Sequence, residues 1–325
     1  MEELISVIVI TYNQERIIGR ALDAILSQRC DLPMEVIIGE DCSTDGTRKV
    51  CEYYARKCPE NIRLLTNGQN LGIVENYKNC LRHARGKYLM DCGGDDEWCP
   101  GRMQKCLDIM RSHDKVAMIY SDIWIRYDNT GQVRESAKYQ HHLTEGIIEG
   151  KLMTFYMLDQ RYCAPAYSAM ARTQCLKEII DEYPDVFDGS KYGIDDQAIA
   201  VLIGKKGDAY YLKERTYYYT SDTSSFIHNP SARKKFDNNL KGIRLIHDLA
   251  EVTGIGHNRL KPCYEFRLFA LMMHAFREHD KDMRQVAHAY AKELNVMGWR
   301  ASLVKAVTCN RVTWSMGLML RKLLV

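Results

Sequence analysis

Apolar positions along the first hundred residues alternate between two periods. Residues 6–10, Ser-Val-Ile-Val-Ile, form a largely β-branched run without polar alternation, which predicts a strand buried on both faces. Thr11-Tyr12-Asn13 ends it, with Asn13 placed to cap the next helix, where Ile17, Ile18, Ala21, Leu22, Ile25 and Leu26 recur at helical spacing. Residues 35–39 predict a second strand. Glu40-Asp41-Cys42-Ser43-Thr44-Asp45-Gly46-Thr47 closes it, and the part from Ser43 on shapes a turn and starts a helix running to Lys57. Residues 62–65, the loop Asn67-Gly68-Gln69-Asn70-Leu71-Gly72 and a helix to His83 make a third unit. Residues 87–92 are a fourth strand. This βαβαβαβ alternation predicts a parallel, doubly wound α/β sheet.

Beyond Arg111 the pattern changes. Residues 116–121 and 123–127 predict strands, with a turn at Asp128-Asn129-Thr130-Gly131; residues 152–158 and 195–204 predict helices, and 209–212 and 215–220 strands. From residue 229 the chain reads as helical throughout, over 232–253, 261–278, 281–297 and 300–324. The expected division is therefore an α/β domain over 1–228 and a C-terminal helical region over 229–325.

The chemistry gathers where the fourth strand stops, at Asp91-Cys92-Gly93-Gly94-Asp95-Asp96-Glu97-Trp98. In an open α/β sheet, ligands bind outside the carboxyl ends of the strands. Two glycines there allow close approach, and two consecutive carboxylates suit a divalent cation carrying a phosphate. Asp96 alone also fits a helix cap, and Pro100 is expected at the first helical position. There is no GxGxxG after the first strand and no Walker loop, so a phosphate site must use a cation instead. Tyr12 lies at the same sheet edge, as a surface for a base or an ordinary loop aromatic. Asp41 can accept hydrogen bonds from a base or ribose, or simply cap its own loop. Asp195-Asp196, about a hundred residues on, either favours a helix dipole or supplies a general base. Tyr210, Tyr211, Tyr217, Tyr218 and Tyr219 are expected to be half-buried with their hydroxyls at the surface, rather than lining an acceptor cleft. The ten histidines show no motif and receive no role.

Composition narrows the classes. At 325 residues, 46% hydrophobic and 27% charged, the chain is of ordinary globular type. Its 12 cysteines include no CxxC and no zinc spacing, which points to a reducing compartment. Acidic Met1-Glu2-Glu3 and the short apolar run behind it do not make a signal peptide, and no 18-residue apolar stretch exists. The net charge of +3 conceals an asymmetry: residues 231–325 carry 17 Lys+Arg against 8 Asp+Glu, the remainder 28 against 34. The segment 299–325, with Trp299, Trp314 and five basic residues from Arg300 on, is expected to lie on an anionic membrane surface, or else to close the core. The expected location is cytoplasmic, peripheral on the inner face of the cell membrane, with no nucleic-acid partner.

Taken together, residues 6–13, 35–47, 70–72 and Gly93-Gly94-Asp95-Asp96-Glu97-Trp98 resemble the family-2 inverting glycosyltransferases of the GT-A fold, in order and spacing, over about 110 residues. With Asp195-Asp196 and the stretch to Thr220 the likeness reaches about two thirds of the chain; the helical tail lies outside it. The resemblance implies a nucleoside-diphosphate-sugar donor, most often a UDP-sugar, lying against Thr11, Tyr12, Asn13, Asp41, Asn70, Asn76 and Asp95. It also implies Mg²⁺ or Mn²⁺ on Asp95 and Asp96, and a catalytic base at Asp196, with Asp195 beside it. It further implies hexosyl or N-acetylhexosaminyl transfer to a glycan or lipid-linked glycan of a surface or capsular polysaccharide. Three departures stand out. Glu40 and Cys42 replace the commoner Asp and Gly, Gly93 stands where the first acid of the Asp-x-Asp usually is, and no Arg-x-His is evident near residues 218–222. A non-catalytic nucleotide-sugar-binding protein is the rival reading, supported by Gly93. A nucleotidyltransferase ranks last, for want of its Gly-rich N-terminal signature.

Overall fold

The structure, a computed structural model, describes residues 1–136, 143–159, 168–192, 196–221, 231–278, 280–294, 302 and 306. It divides into two compact units, Met1–Thr223 and Ser224–Val325.

The first unit is a ten-stranded sheet with helices on its faces. β1 (Glu2–Thr11) runs parallel to β2 (Met34–Glu40) on one side and to β4 (Gly86–Gly93) on the other. β3 (Ile62–Thr66) extends the β2 side, also parallel. The apolar run of β1 is buried on both faces because helices cover both: Ile5, Val7, Ile8 and Val9 are all nearly inaccessible. α1 (Ile18–Leu26) turns Ile18, Ala21, Leu22 and Ile25 onto the sheet. Burying each of its larger aliphatics contributes about 1.5–3 kcal/mol. α2 (Thr47–Lys57) and α3 (Ile73–His83) complete the crossovers.

The sheet then changes character. β5 (Glu97–Trp98), β6 (Val116–Tyr127), β7 (Gln132–Glu135), β8 (Gly146–Ile148), β9 (Ala169–Arg172) and β10 (Asp208–Ser221) add a mixed half, in the order β3-β2-β1-β4-β9-β6-β10-β5. β9 is antiparallel to both β4 and β6, whereas β10 runs parallel to β6 and antiparallel to β5. The helices of this half are α4 (Arg102–Ser112), α5 (Gly150–Asp159), α6 (Thr173–Glu182) and α7 (Asp196–Leu202).

Several expectations are corrected here. The paired strands expected over 116–127 and over 209–220 are single long strands, and β10 absorbs its break as register shifts between Leu212 and Tyr217. Pro100 precedes α4 by two residues, and Gly101, at φ 75, is the N-cap. Asn13 does not cap α1, whose N-cap is Ile17 without a side-chain bond.

The second unit contains α8 (Ala232–Thr253), a 3₁₀ turn over His257–Leu260, α9 (Lys261–Glu278) and α10 (Lys281–Glu293). The tail proposed to lie on a membrane, 299–325, falls outside the described residues apart from 302 and 306. Among the described residues, no helix is long and apolar enough to cross a membrane.

Candidate functional site

The order β3-β2-β1-β4 reverses direction between β1 and β4, and this reversal is the topological switch point of the sheet. Thr11 ends β1 there, with Tyr12 and Asn13 after it, and Gly93 ends β4, with Gly94, Asp95 and Asp96 after it. The loops after β2 and β3 complete the rim.

On the β1–β2 flank the loops are sewn together by hydrogen bonds. Asn13, in the left-handed region at φ 54, donates its N–H to Ser43 Oγ at 3.0 Å, and its side-chain oxygen accepts from the N–H of Thr44 at 2.8 Å. Gln14 N–H donates to Thr47 Oγ1, and Glu15 N–H to Asp45. Asp45 also accepts from the N–H and hydroxyl of Thr47, which starts α2 as the sequence suggests. Glu40, fully buried, accepts from Ser43 N–H at 2.6 Å and from Arg48 Nε at 2.7 Å. Burial pushes its carboxyl up, but the bonds from Ser43 and Arg48 outweigh that and hold it below the usual carboxylate range. Above this frame Tyr12 stands 44% exposed, the one member of its tripeptide free to offer a ring face; Thr11 is buried and donates to Gln14 Oε1.

Asp41 is buried, and its carboxylate organises the loop after β3. Oδ1 accepts from Asn67 Nδ2 and Leu71 N–H, and Oδ2 from Gly72 N–H, all within 2.8–2.9 Å. Asn70 is exposed and donates to the Asp41 carbonyl at 3.2 Å. Asn76 lies away from the rim, buried on α3, where it donates to the Gly39 carbonyl and accepts from Asn67.

On the β4 flank two acids sit side by side. Asp96 is buried, with Oδ2 accepting from Tyr217 Oη and Oδ1 from Thr220 N–H, both at 2.7 Å. Tyr217 accepts in turn from Gly93 N–H at 3.3 Å. Tyr217 is thus wholly buried and bonded inward, unlike the surface hydroxyl expected of that tyrosine cluster. Burial first, and the Asp95 charge second, push the Asp96 carboxyl well above its usual range. Burial likewise raises Asp95, against the opposing pull of Gln14 and Arg20. In this arrangement Asp96 is a clasp between β4 and β10, and Asp95 is the acid that keeps some access to the rim. A Cβ on Gly93 would lie 2.8 Å from an oxygen of each acid, so no side chain fits there without displacing them.

Residues without any sequence signal complete this flank. Arg20, on α1, donates to the Asp95 carbonyl, Asp128 and Thr220 and pairs with Glu97; Arg126 also pairs with Glu97. Arg20 and Glu97 line a depression of about 630 Å³ beside α1 that touches neither Tyr12, Asp41 nor Asp95. Arg102, whose polar character predicts exposure, is fully buried behind the clasp. It hydrogen-bonds Ser121 and Thr216 and lies 5.4–5.5 Å from the ring centroids of Tyr217 and Trp98. Asp196 is the first residue of α7 and half-buried; Asp195 lies outside the described residues.

An open α/β sheet with an aromatic, a buried loop acid and an acidic pair around its switch point is the architecture of the GT-A class. Residues 6–180 match the family described as Glycosyl transferase family 2, which is more than half of the chain, and the chain belongs to that family. Among curated relatives, the putative glycosyltransferase EpsE of Bacillus subtilis (strain 168) is 27% identical over 236 residues, covering 71% of this chain and 83% of that protein. The uncharacterized protein Rv1520 of Mycobacterium tuberculosis (strain ATCC 25618 / H37Rv) is 36% identical over 125 residues, 38% of this chain. The matched region spans only 36% of that mycobacterial relative. Among solved structures, S. aureus TarS 1-349 in complex with UDP superposes with a TM-score of 0.55 at 18% identity, covering 93% of this chain and 90% of that one. The TarS 1-349 complex with UDP-GlcNAc gives a TM-score of 0.54 at 16% identity, covering 89% and 92%. At these identities the likeness establishes the fold.

Proposed function

We propose that the protein transfers a sugar, with inversion and with help from a divalent metal, from a nucleoside-diphosphate donor to a hydroxyl of a surface glycan. The observation that carries this reading is Asp95, largely buried but still reaching the rim, beside buried Asp96 at the switch point of a family-2 sheet. The acid pair fits a cation: both carboxyls are pushed up by burial, a cost that a bound dication relieves. Asp95 is the ligand in this reading, with Asp96 supporting it from behind. Mg²⁺ or Mn²⁺ held there supplies charge stabilisation to the departing diphosphate. Tyr12 offers its exposed ring to the base, and Asn13 and Asn70 border it. Asp41, with Asn67, holds the rim that receives the base, and Thr11 and Asn76 act through the frame they brace. Asp196, with Asp195 next to it, takes the proton of the acceptor hydroxyl as that oxygen attacks C1 from the face opposite the leaving diphosphate. One bond forms as the other breaks, so the anomeric centre inverts.

UDP-sugars are the favoured donors, because TarS of the same fold is crystallised with UDP-GlcNAc and with UDP. The likeness to a minor teichoic acid biosynthesis protein of Bacillus subtilis that is 24% identical over 238 residues favours a cell-surface polymer as acceptor.

A paired test separates the enzyme from a mere binder. Asp95→Ala should lose metal-dependent UDP-sugar binding while remaining folded. Asp196→Asn should keep donor affinity and lose about 10²–10⁴-fold in transfer rate. Undiminished metal-dependent binding in the first variant, or full transfer in the second, would remove that residue from its role.

A further inference from the structure

The second unit carries a side-chain cluster unrelated to sugar transfer. His247 and Glu251 stand four residues apart on α8, on one helical face. The helix ends at Gly254, at φ 70, where Gly254 and Ile255 donate back to the carbonyls of Glu251 and Ala250. This reversal, of the kind glycine allows at a helix end, brings His257 back over the same face. One ligand atom from each of His247, Glu251 and His257 lies within 4.8 Å of the other two. All three stay open to water, with side chains 40%, 65% and 38% exposed.

We infer that His247, Glu251 and His257 form a zinc-class metal site that clips the end of α8 to the turn leading into α9. Two imidazoles and one carboxylate suit Zn²⁺ far better than Mg²⁺, and three protein ligands leave a fourth position for water. A tetrahedral ion with bonds of about 2.0–2.1 Å needs ligand atoms roughly 3.3 Å apart. Side-chain rotation reaches that from the observed spacing.

The surroundings already orient the ligands. Nδ1 of His257 is engaged with Tyr264 Oη at 2.9 Å, so its Nε2 points to the Glu251 carboxylate at 2.5 Å. Nδ1 of His247 faces Asp248 Oδ1 at 3.4 Å. Metal-bound histidines commonly hold their second nitrogen in this way. A simple ion pair would need only Glu251 and His257. The ring of His247 lies nearly parallel to that of His257 with centroids 4.6 Å apart, which brings a third donor to the same point. The ion takes the place of the proton between Glu251 and His257; the neutral ring keeps one proton, now on Nδ1, where it is donated to Tyr264 Oη.

The test uses the full chain, stripped with chelator, reduced, and kept in excess Mg²⁺ so that oxygen-rich sites are filled. Zn²⁺ titrated calorimetrically should bind at one equivalent that is absent from His247→Ala. Co²⁺ in its place should give ligand-field bands without thiolate charge-transfer bands, which separates this site from the free cysteines. Glu251→Gln, the most exposed and least disruptive change, should weaken binding at least tenfold. Tyr264→Phe should weaken it by about 10–100-fold through loss of the orienting bond. Asp95→Ala should leave it unchanged. Equal Zn²⁺ affinity in the wild type and in both His247→Ala and Glu251→Gln would overturn the assignment, as would a Co²⁺ spectrum of thiolate type.

Discussion

The two flanks of the switch point are held by contacts of different reach. On the β1–β2 flank, bonds such as Asn13 to Ser43, Glu15 to Asp45 and Leu71 to Asp41 each join residues 30 apart. On the β4 flank, Asp96 meets Tyr217 and Thr220 across 121 and 124 residues, and Arg20 meets Thr220 across 200. The first flank is made by turn chemistry that neighbouring segments carry with them. The second exists only when β10 has paired with both β6 and β5. Damage to the first should stay local, while damage to the second should reach the core.

Gly93→Asp should have the largest effect. It installs the acid more usual for the family, yet its Cβ meets both existing carboxylates and it adds a third negative charge. We expect a loss of about 3 kcal/mol or more in urea unfolding without metal, partly recovered in Mn²⁺. An unchanged midpoint would mean the two acids have room to part. Tyr217→Phe comes next. It leaves a buried Asp96 oxygen and the Gly93 N–H without their partner, at about 1–3 kcal/mol. UDP affinity without metal should hardly move, since that tests the other flank.

Asn13 probes that other flank. Asn13→Ala sets a Cβ-bearing residue without its side-chain bond at φ 54, and should cost about 1–2 kcal/mol. Asn13→Gly should cost less, because only the Thr44 contacts are lost. If the two variants are equal, the side-chain bond matters and the backbone conformation does not. The smallest effect is one of pH. Glu40 titrates lower in the folded state than its ordinary 4.5, so its contribution is present at neutral pH and disappears as pH falls through the folded value. The stability gap between wild type and Glu40→Gln should therefore close in acid. Asp96 has the opposite sign: its raised carboxyl favours the folded state increasingly as pH falls. A gap that stays the same from neutral to acid pH would show that the ionised Glu40 carboxylate is not its source.

The same difference in reach decides what could be read beforehand. The four parallel strands, their helices and the Asp45-Gly46-Thr47 helix start follow from periodicity and turn residues within each unit. β9, four residues reading Ala-Met-Ala-Arg, has no local signature and is a strand because β4 and β6 flank it. The part played by Tyr217 was hidden for the same reason, since only the β5–β10 pairing shows which hydroxyl turns inward. Arg102 carried no sequence signal, because helical spacing counts a guanidinium as polar and cannot see the rings of Trp98 and Tyr217 waiting for it. His247 of α8 went unassigned because its partner His257 arrives only after Gly254 turns the chain back.

The long bridge from Asp96 to Thr220 also sets a timetable. A chain made at about 5–20 residues per second takes roughly 6–25 s to cover the 124 residues between them. The β1–β2 rim can shut once Gly72 has cleared the ribosome, so the first wall of the switch-point crevice stands early. Through that interval the newborn chain carries an acid meant for the interior with neither partner yet made, and water must serve in their stead.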